Sequence, residues 1–289
     1  MKCTLCREEI TEEPVTYKGK NYCCQACAFD ASVRLGSMCG SQSTVEAGLR
    51  FERSRSQPAQ GPAPCRVIAI DGPVAVGKST VGKLVARKLG YQFMDTGAMY
   101  RALTFKVLQS GIDPSDGTAV ADMAARTEIK LRPSEETPSG YIVLVDGVDA
   151  TDEIRTPRVE ASVSLVSRIP AVRRFLVERQ RELARDGQVV VVGRDIATVV
   201  LPEAELKVFL TASPEERAIR RFQELRQLGK PVEFDSVLAE LRKRDTLDST
   251  RADSPLKPAA DSRIVDTDKL TLQEAVERVL ALAMERECS

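Results

Sequence analysis

"RVIAIDGPVAVGKST", residues 66–80, decides how the rest of the chain is read. "RVIAI" is an apolar run of strand length that ends at Asp71. "GPVAVGKST" then satisfies G-x-x-x-x-G-K-[ST] through Gly72, Gly77, Lys78 and Ser79. The following "KSTVGKLVARKLG" spaces Val81, Leu84, Val85, Lys88 and Leu89 for one helix face, with Gly90 as the stop. Strand, glycine loop and helix in this register suit phosphate binding. Glycines let backbone N–H groups turn onto phosphate oxygens, and the helix N-terminus adds its positive end. The loop of Gly72, Pro73, Val74, Ala75, Val76, Gly77, Lys78, Ser79 and Thr80 is therefore expected to hold a nucleoside triphosphate. Lys78 can reach the β- and γ-phosphates, and the Ser79 hydroxyl can ligate Mg²⁺. The alternative, a chance glycine turn before a helix, is opposed by the context on both sides. The loop alone does not separate kinases from GTPases or motor ATPases.

Downstream, strand-like and helix-like stretches alternate. "YQFMD" (91–95), "QVVVVG" (188–193), "LKVFLTA" (206–212) and "SRIVDT" (262–267) read as strands. "AMYRALTFKVLQSG" and "SPEERAIRRFQELRQLG" (213–229) read as helices, and "TLQE" (271–274) is a capping box that starts the last one. Such alternation predicts an α/β fold, a parallel sheet with helices on both faces. "TEIKLRPSEETPSGYIVLVDGVDAT" (127–151) breaks the pattern and reads as paired strands around a polar turn, a small antiparallel insertion. Residues 37–64 lack periodicity and carry Ser, Gly, Pro and Gln, so they read as a linker with a short helix near Val45 to Glu52.

Composition narrows the class further. The 42 basic residues balance 42 acidic ones, so global charge gives no sign of a nucleic-acid or membrane partner. No apolar run approaches a membrane span, and no secretory leader is visible, so cytoplasm is the expected compartment. With no histidine in the chain, histidine general bases and mixed Cys/His metal sites are excluded.

Two further stretches point to the phosphoryl acceptor. In an open parallel sheet, ligands bind along the strand C-termini, so Asp95 and Thr96 of "MDTGAMYR" (94–101) belong beside the phosphate loop. Asp95 also reads as a helix N-cap, which leaves it free to meet Mg²⁺-bound water. Arg101, Arg173, Arg194, Arg217, Arg220, Arg221, Arg244 and Arg251 lie near strand ends or in the helices that follow. Any one of them fits a solvated helix face. Together they suit transfer between two nucleotides, where crowded anionic oxygens need neutralising. Arg194–Asp195, directly after a buried strand, is the most conspicuous pair.

"IAIDGPVAVGKST", "FMDTGAMYRALT", "DEIRTPRVEASVSLVSRIPAVRR", "VVGRDIATVVLPEAELKVFLTAS" and "ELRKRDTLDSTRADSPLKPAADSRIVDT" resemble bacterial cytidylate kinase over residues 66 to about 285. The DTG-x-x-YR, GRD and RD-x-x-D-x-x-R segments are far more specific than the phosphate loop. The resemblance implies a parallel-sheet P-loop kinase core at 65–289, with an insertion at about 123–165 and a helical lid at about 213–232. It implies phosphoryl transfer from ATP, with Mg²⁺, to CMP or dCMP, in a monomer. Thr96, Arg173 and Asp195 match the family's cytosine contacts. Arg101, Arg194 and Arg251, with Tyr100 alongside, match its monophosphate contacts, and Ser164, Arg244 and Asp248 its ribose contacts. Arg217 and Arg221 match its lid arginines, which with Lys78, Asp95 and Arg194 form the implied catalytic set. Two positions depart from the family. Val192 stands where an acid usually precedes GRD, which would leave Mg²⁺ to Asp95, Ser79 and Asp71. Ala197 stands where glycine is usual, a minor backbone change. Competing readings are a P-loop kinase for another small acceptor and a metal-responsive regulatory protein whose kinase fold is inactive.

Ahead of this core, residues 1–36 concentrate cysteine. Cys3-x₂-Cys6 and Cys24-x₂-Cys27, seventeen residues apart, match the C-x₂-C-x₁₅₋₂₀-C-x₂-C zinc pattern. Cys23 is an alternative to Cys24, as "KNYCCQACAFD" (20–30) shows. "VTYKGKNYC" reads as a hairpin turning at Lys18–Gly19, and "QACAFDASVRL" as a short helix. The segment resembles a zinc-ribbon or treble-clef module whose folding energy a structural Zn²⁺ could supply. Disulfides are the rarer choice in cytoplasm, and the βαβ context of a redox pair is missing. What the module touches is not written in the sequence. Cys39 falls in the linker, and Cys65 and Cys288 read as packing residues.

Overall fold

A computed structural model describes residues 15–17, 20–22 and 65–285, apart from 135, 138, 228 and 252. The chain divides into two units, Met1–Gln60 and Gly61–Ser289. In the first, β1 (Val15–Tyr17) and β2 (Lys20–Tyr22) pair antiparallel, with Tyr17 opposite Lys20. This is the expected hairpin. The expected ligands Cys3, Cys6, Cys23, Cys24 and Cys27, the helices at about 25–35 and 45–52, and Cys39 and Cys288 lie outside the described residues.

In the second unit β3 (Val67–Asp71), β4 (Gln92–Asp95), β8 (Val189–Val192), β9 (Leu206–Thr211) and β10 (Arg263–Asp266) form one parallel sheet, in the order β10-β9-β3-β8-β4. All five strands were expected from the sequence. β3 stands at the centre, and the chain crosses from one side of it to the other between β8 and β9. A ligand crevice forms at such a switch point, beyond the strand C-termini.

β8 is four consecutive valines, all buried. Each such side chain gains about 1.5–3 kcal/mol on burial, which requires cover on both faces. On one face Val190 and Val192 pack with α1 (Lys78–Leu89) and α8 (Leu272–Met284). On the other, Val189 and Val191 pack with Val177 and Ala184 of α5 (Pro170–Ala184) and with a π-helix at Ile196–Val200. The capping box of α8 forms as expected, Thr271 and Glu274 bonding each other's backbone N–H. Cys65 is buried in the first of these clusters.

The insertion has three strands instead of two: β5 (Ile129–Pro133), β6 (Tyr141–Val145) and the short β7 (Val148–Asp149), all antiparallel. The third arises where Asp146 and Gly147 both take positive φ and turn the chain back. The insertion packs with α2 (Thr96–Gln109), α3 (Gly117–Arg126) and α4 (Pro157–Val166) into a second core. A third, small core joins α6 (Pro214–Gln227) to α7 (Phe234–Ser249), with Val74 and Ala75 of the phosphate loop against it.

Candidate active site

The phosphate loop runs from the C-terminus of β3 to the N-terminus of α1. Gly72 cannot be replaced there, because a Cβ would lie 2.2 Å from the carbonyl oxygen of Leu210 in β9. Ala75 takes φ +59°, a left-handed conformation that costs a non-glycine residue about 1–2 kcal/mol. Lys78 folds back over the loop, its Nζ donating to the Pro73 carbonyl at 2.6 Å. Burial, and then Arg194, hold its ammonium well below the usual lysine range. Val76 is buried, and Ser79 and Thr80 are exposed.

Asp95 ends β4 beside this loop. Its Oδ2 accepts from Ser79 Oγ at 3.1 Å, from the Tyr141 hydroxyl at 3.1 Å and from Arg101 Nη2 at 3.4 Å. Burial raises its carboxyl, but Arg101, Tyr141, Ser79 and Arg155 outweigh burial and hold it below the ordinary carboxylate range. Ser79 and Asp95 thus place hard oxygen donors together, the kind Mg²⁺ takes. Asp71 does not join them. Its two oxygens accept the backbone N–H groups of Ile196 and Ala197, each at 2.8 Å, so both are already engaged by the backbone. Val192 lies beside Asp95 in register and faces Gly82 of α1, where an added Cβ would come within 2.5 Å of its Cγ1. This is an apolar contact, with no carboxylate at that position.

The expected acceptor residues gather along the same edge. Thr96 donates its hydroxyl to the Val192 carbonyl at 2.9 Å. Arg173, from α5, forms a buried ion pair with Asp195, and its guanidinium lies 5.9 Å from the Tyr100 ring centroid. Burial pushes the Tyr100 phenol up to about 12 and also raises the Asp195 carboxyl, against the pull of Arg173 and Arg251. Arg194 Nε donates to Asp248 at 2.9 Å, and Arg251 lies within 4.0 Å of the same carboxylate. Arg244 and Arg101 both reach Glu160 of α4, at 3.4 and 3.9 Å. Ser164, half-buried, is one turn further along that helix. Arg101 Nε, Arg173 Nε and Arg251 Nη2 are buried donors without a hydrogen-bond partner. Buried polar groups are rarely left so, and three on arginines of one cleft suit the oxygens of an anionic ligand.

The lid arginines stand differently. Arg217 is 3% exposed and donates to Ala212 O, Val74 O and both oxygens of Asp245. It ties α6 and α7 to the phosphate loop backbone. Arg221 pairs with Glu224 one turn along α6. Sequence reasoning did not single out Tyr141, Glu160, Asp245 or Asp253, the last 3.9 Å from Arg173. Tyr141 carried one signal, a lone aromatic opening an aliphatic strand. Asp245 carried one too, as the aspartate next to Arg244 in the RD-x-x-D-x-x-R segment, while Glu160 and Asp253 carried none, since their partners come from distant elements. Among the described residues no group of three or more Cys, Asp or Glu is arranged to hold a metal ion.

A parallel sheet whose central strand feeds a phosphate loop, faced by a crevice of arginines, defines a P-loop phosphotransferase. The sequence profile of the family "Cytidylate kinase" matches residues 68–285. The cytidylate kinase of Pelotomaculum thermopropionicum is 49% identical over 214 residues, covering 74% of this chain and 94% of that one. That of Geobacillus kaustophilus is 50% identical over 219 residues, covering 76% and 96%. Among solved structures, a shikimate kinase from Bacteroides thetaiotaomicron is similar at TM-score 0.38 and 14% identity, covering 75% of this chain and 97% of that one. The chain belongs to the cytidylate kinase family.

Proposed function

We infer that the protein transfers the γ-phosphoryl group of ATP to CMP or dCMP, giving ADP and CDP or dCDP. The observation that carries this reading is the buried Arg173–Asp195 pair beside Thr96, within a chain of that family. Cytosine offers an N4 amine donor next to N3 and O2 acceptors. A carboxylate that accepts from N4 and a guanidinium that donates to N3 and O2 complement it. Uracil would set O4 against the carboxylate, a rejection stronger than shape alone gives. Arg101, Arg194 and Arg251 take the monophosphate beside Tyr100, and Ser164, Arg244 and Asp248 the ribose.

No general base is needed. A CMP phosphate oxygen, ionised near neutral pH, attacks the γ-phosphorus in line, the bond to the β–γ bridging oxygen breaks, and ADP leaves with that electron pair. Lys78 and the loop N–H groups hold the triphosphate, and the crevice arginines neutralise the oxygens that meet. Ser79 and, through water, Asp95 would hold Mg²⁺, which would supply further neutralisation of the phosphates. Arg217 acts by holding the lid helices to the loop, and Arg221 swings from Glu224 toward the phosphates on closure, when the lid excludes water.

We assign residues 1–36 to a zinc module on Cys3, Cys6, Cys27 and either Cys24 or Cys23, residues 37–64 to a linker, and 65–289 to the kinase. The cysteine spacing supports this assignment. A cytoplasmic monomer is the working state. Among the described residues no helix is long and apolar enough to cross a membrane. Formation of ADP from ATP in the presence of CMP, followed in a coupled assay, tests the reading; no CMP-dependent ADP contradicts it.

A further inference from the structure

Asp71 is the last residue of β3 and in sequence immediately precedes the triphosphate loop. Its carboxylate reaches instead across the sheet edge to Ile196 and Ala197, the first two residues of the π-helix. Helix starts leave such N–H groups without intrahelical partners, and here one buried carboxylate satisfies both. π-turns are rare and concentrate at functional sites. This one directly follows Arg194 and Asp195. On its other side the same loop is confined at Gly193, where an added Cβ would fall 2.6 Å from both Thr96 Oγ1 and Ile196 Cδ1. The loop is thus clamped between Thr96 and Asp71.

We propose that Asp71 is a positioning residue for the acceptor nucleotide: its two backbone bonds set where Arg194 and Asp195 stand relative to the phosphate loop. The strand that feeds the donor site thereby fixes the loop that reads the acceptor. The proposal rests on the CMP reading given above. Asp71 is 1% exposed, and burial pushes its carboxyl up to about 6. Of the charged groups facing it, Asp195 adds to that shift, while Lys78 and the two N–H bonds oppose it. At neutral pH it is ionised and accepts both bonds. Below about pH 6 it gains a proton, and one oxygen becomes a donor set against an N–H.

Asp71→Asn keeps the size and turns one acceptor into an amide donor. Steady-state kinetics of the full chain, with ATP and CMP varied separately, are expected to show CMP KM raised roughly tenfold or more. ATP KM is expected to stay within about twofold, while the rate on UMP relative to CMP rises. Equal rises in both KM values, or no change in either, overturn the proposal. Amide hydrogen exchange on the unaltered full chain tests it without a variant. After correction for intrinsic exchange, protection at Ile196 and Ala197 should fall about tenfold between pH 7 and pH 5, while β3 amides hold. Unchanged protection at those two amides overturns it. This second result stands whether or not CMP is the acceptor, so failure of the anchor and failure of the CMP reading are told apart.

Discussion

The Tyr141 hydroxyl donates to Oδ2 of Asp95 at 3.1 Å, joining the antiparallel insertion to the end of the second strand of the parallel sheet. Burial raises the Tyr141 phenol, so it is a neutral donor at working pH. The bond couples the insertion to the oxygen that Ser79 and Arg101 also hold. In Tyr141→Phe, Asp95 loses one of three donors, and kcat/KM should fall about fivefold to tenfold with a stability loss near 1 kcal/mol. Steady-state kinetics and thermal unfolding check this together. Lost stability with unchanged kinetics would confine the phenol to folding.

The resemblance puts Arg217 among the arginines that close over the triphosphate, and in the structure it ties α6 and α7 to the phosphate loop backbone. Arg217→Ala would strand Asp245 and the carbonyls of Val74 and Ala212. Because Asp245 is one-quarter exposed, the cost should be about 2–3 kcal/mol, below that of a fully buried broken pair. Chemical denaturation measures it. A loss under about 0.5 kcal/mol, the range of ordinary surface changes, would show that the strut holds nothing.

Val192 puts an apolar side chain in register with Asp95, so the proposed Mg²⁺ contacts are those of Ser79 and Asp95. Val192→Asp should lower the Mg²⁺ concentration for half-maximal activity, by roughly threefold to tenfold if the carboxylate adds one charge-assisted contact to bound water. Activity titrated with Mg²⁺ in both proteins decides it, and an unchanged midpoint would sink the idea.

The cysteine module is expected to hold one zinc per chain and to stand apart from catalysis. Deletion of residues 1–60 should leave kcat and both KM values within about twofold. Metal analysis of the full chain, before and after chelation, checks the zinc. A chain that carries none, or a deletion that abolishes turnover, contradicts the assignment.

The parallel sheet was legible because β3 and β8 are apolar runs and strand-length stretches alternate with helical ones, and the phosphate loop because its spacing is strict. Asp95, Thr96, Arg101, Arg173, Arg194, Asp195, Asp248 and Arg251 all come to one crevice, although Arg173 of α5, Asp248 of α7 and Arg251 just after α7 come from far along the chain. Pairings were not legible. Nothing in the order of residues says that Arg217 would meet Asp245, or Glu160 both Arg101 and Arg244, since those contacts depend on how helices cross. The third strand of the insertion was missed because it is two residues long and both are exposed, so it carries no apolar alternation. The backbone bonds of Asp71 were not legible for a similar reason. A carboxylate next to a phosphate loop suggests a metal, and only the fold shows the two amide groups it faces.

Selection of cytosine is the property on which the proposed function turns. Initial rates with CMP, dCMP, UMP and AMP at equal concentration test it most directly. CMP or dCMP should lead UMP and AMP by about two orders of magnitude or more, as expected when a buried donor–acceptor pair is left mismatched. Equal rates on all four acceptors would contradict the account.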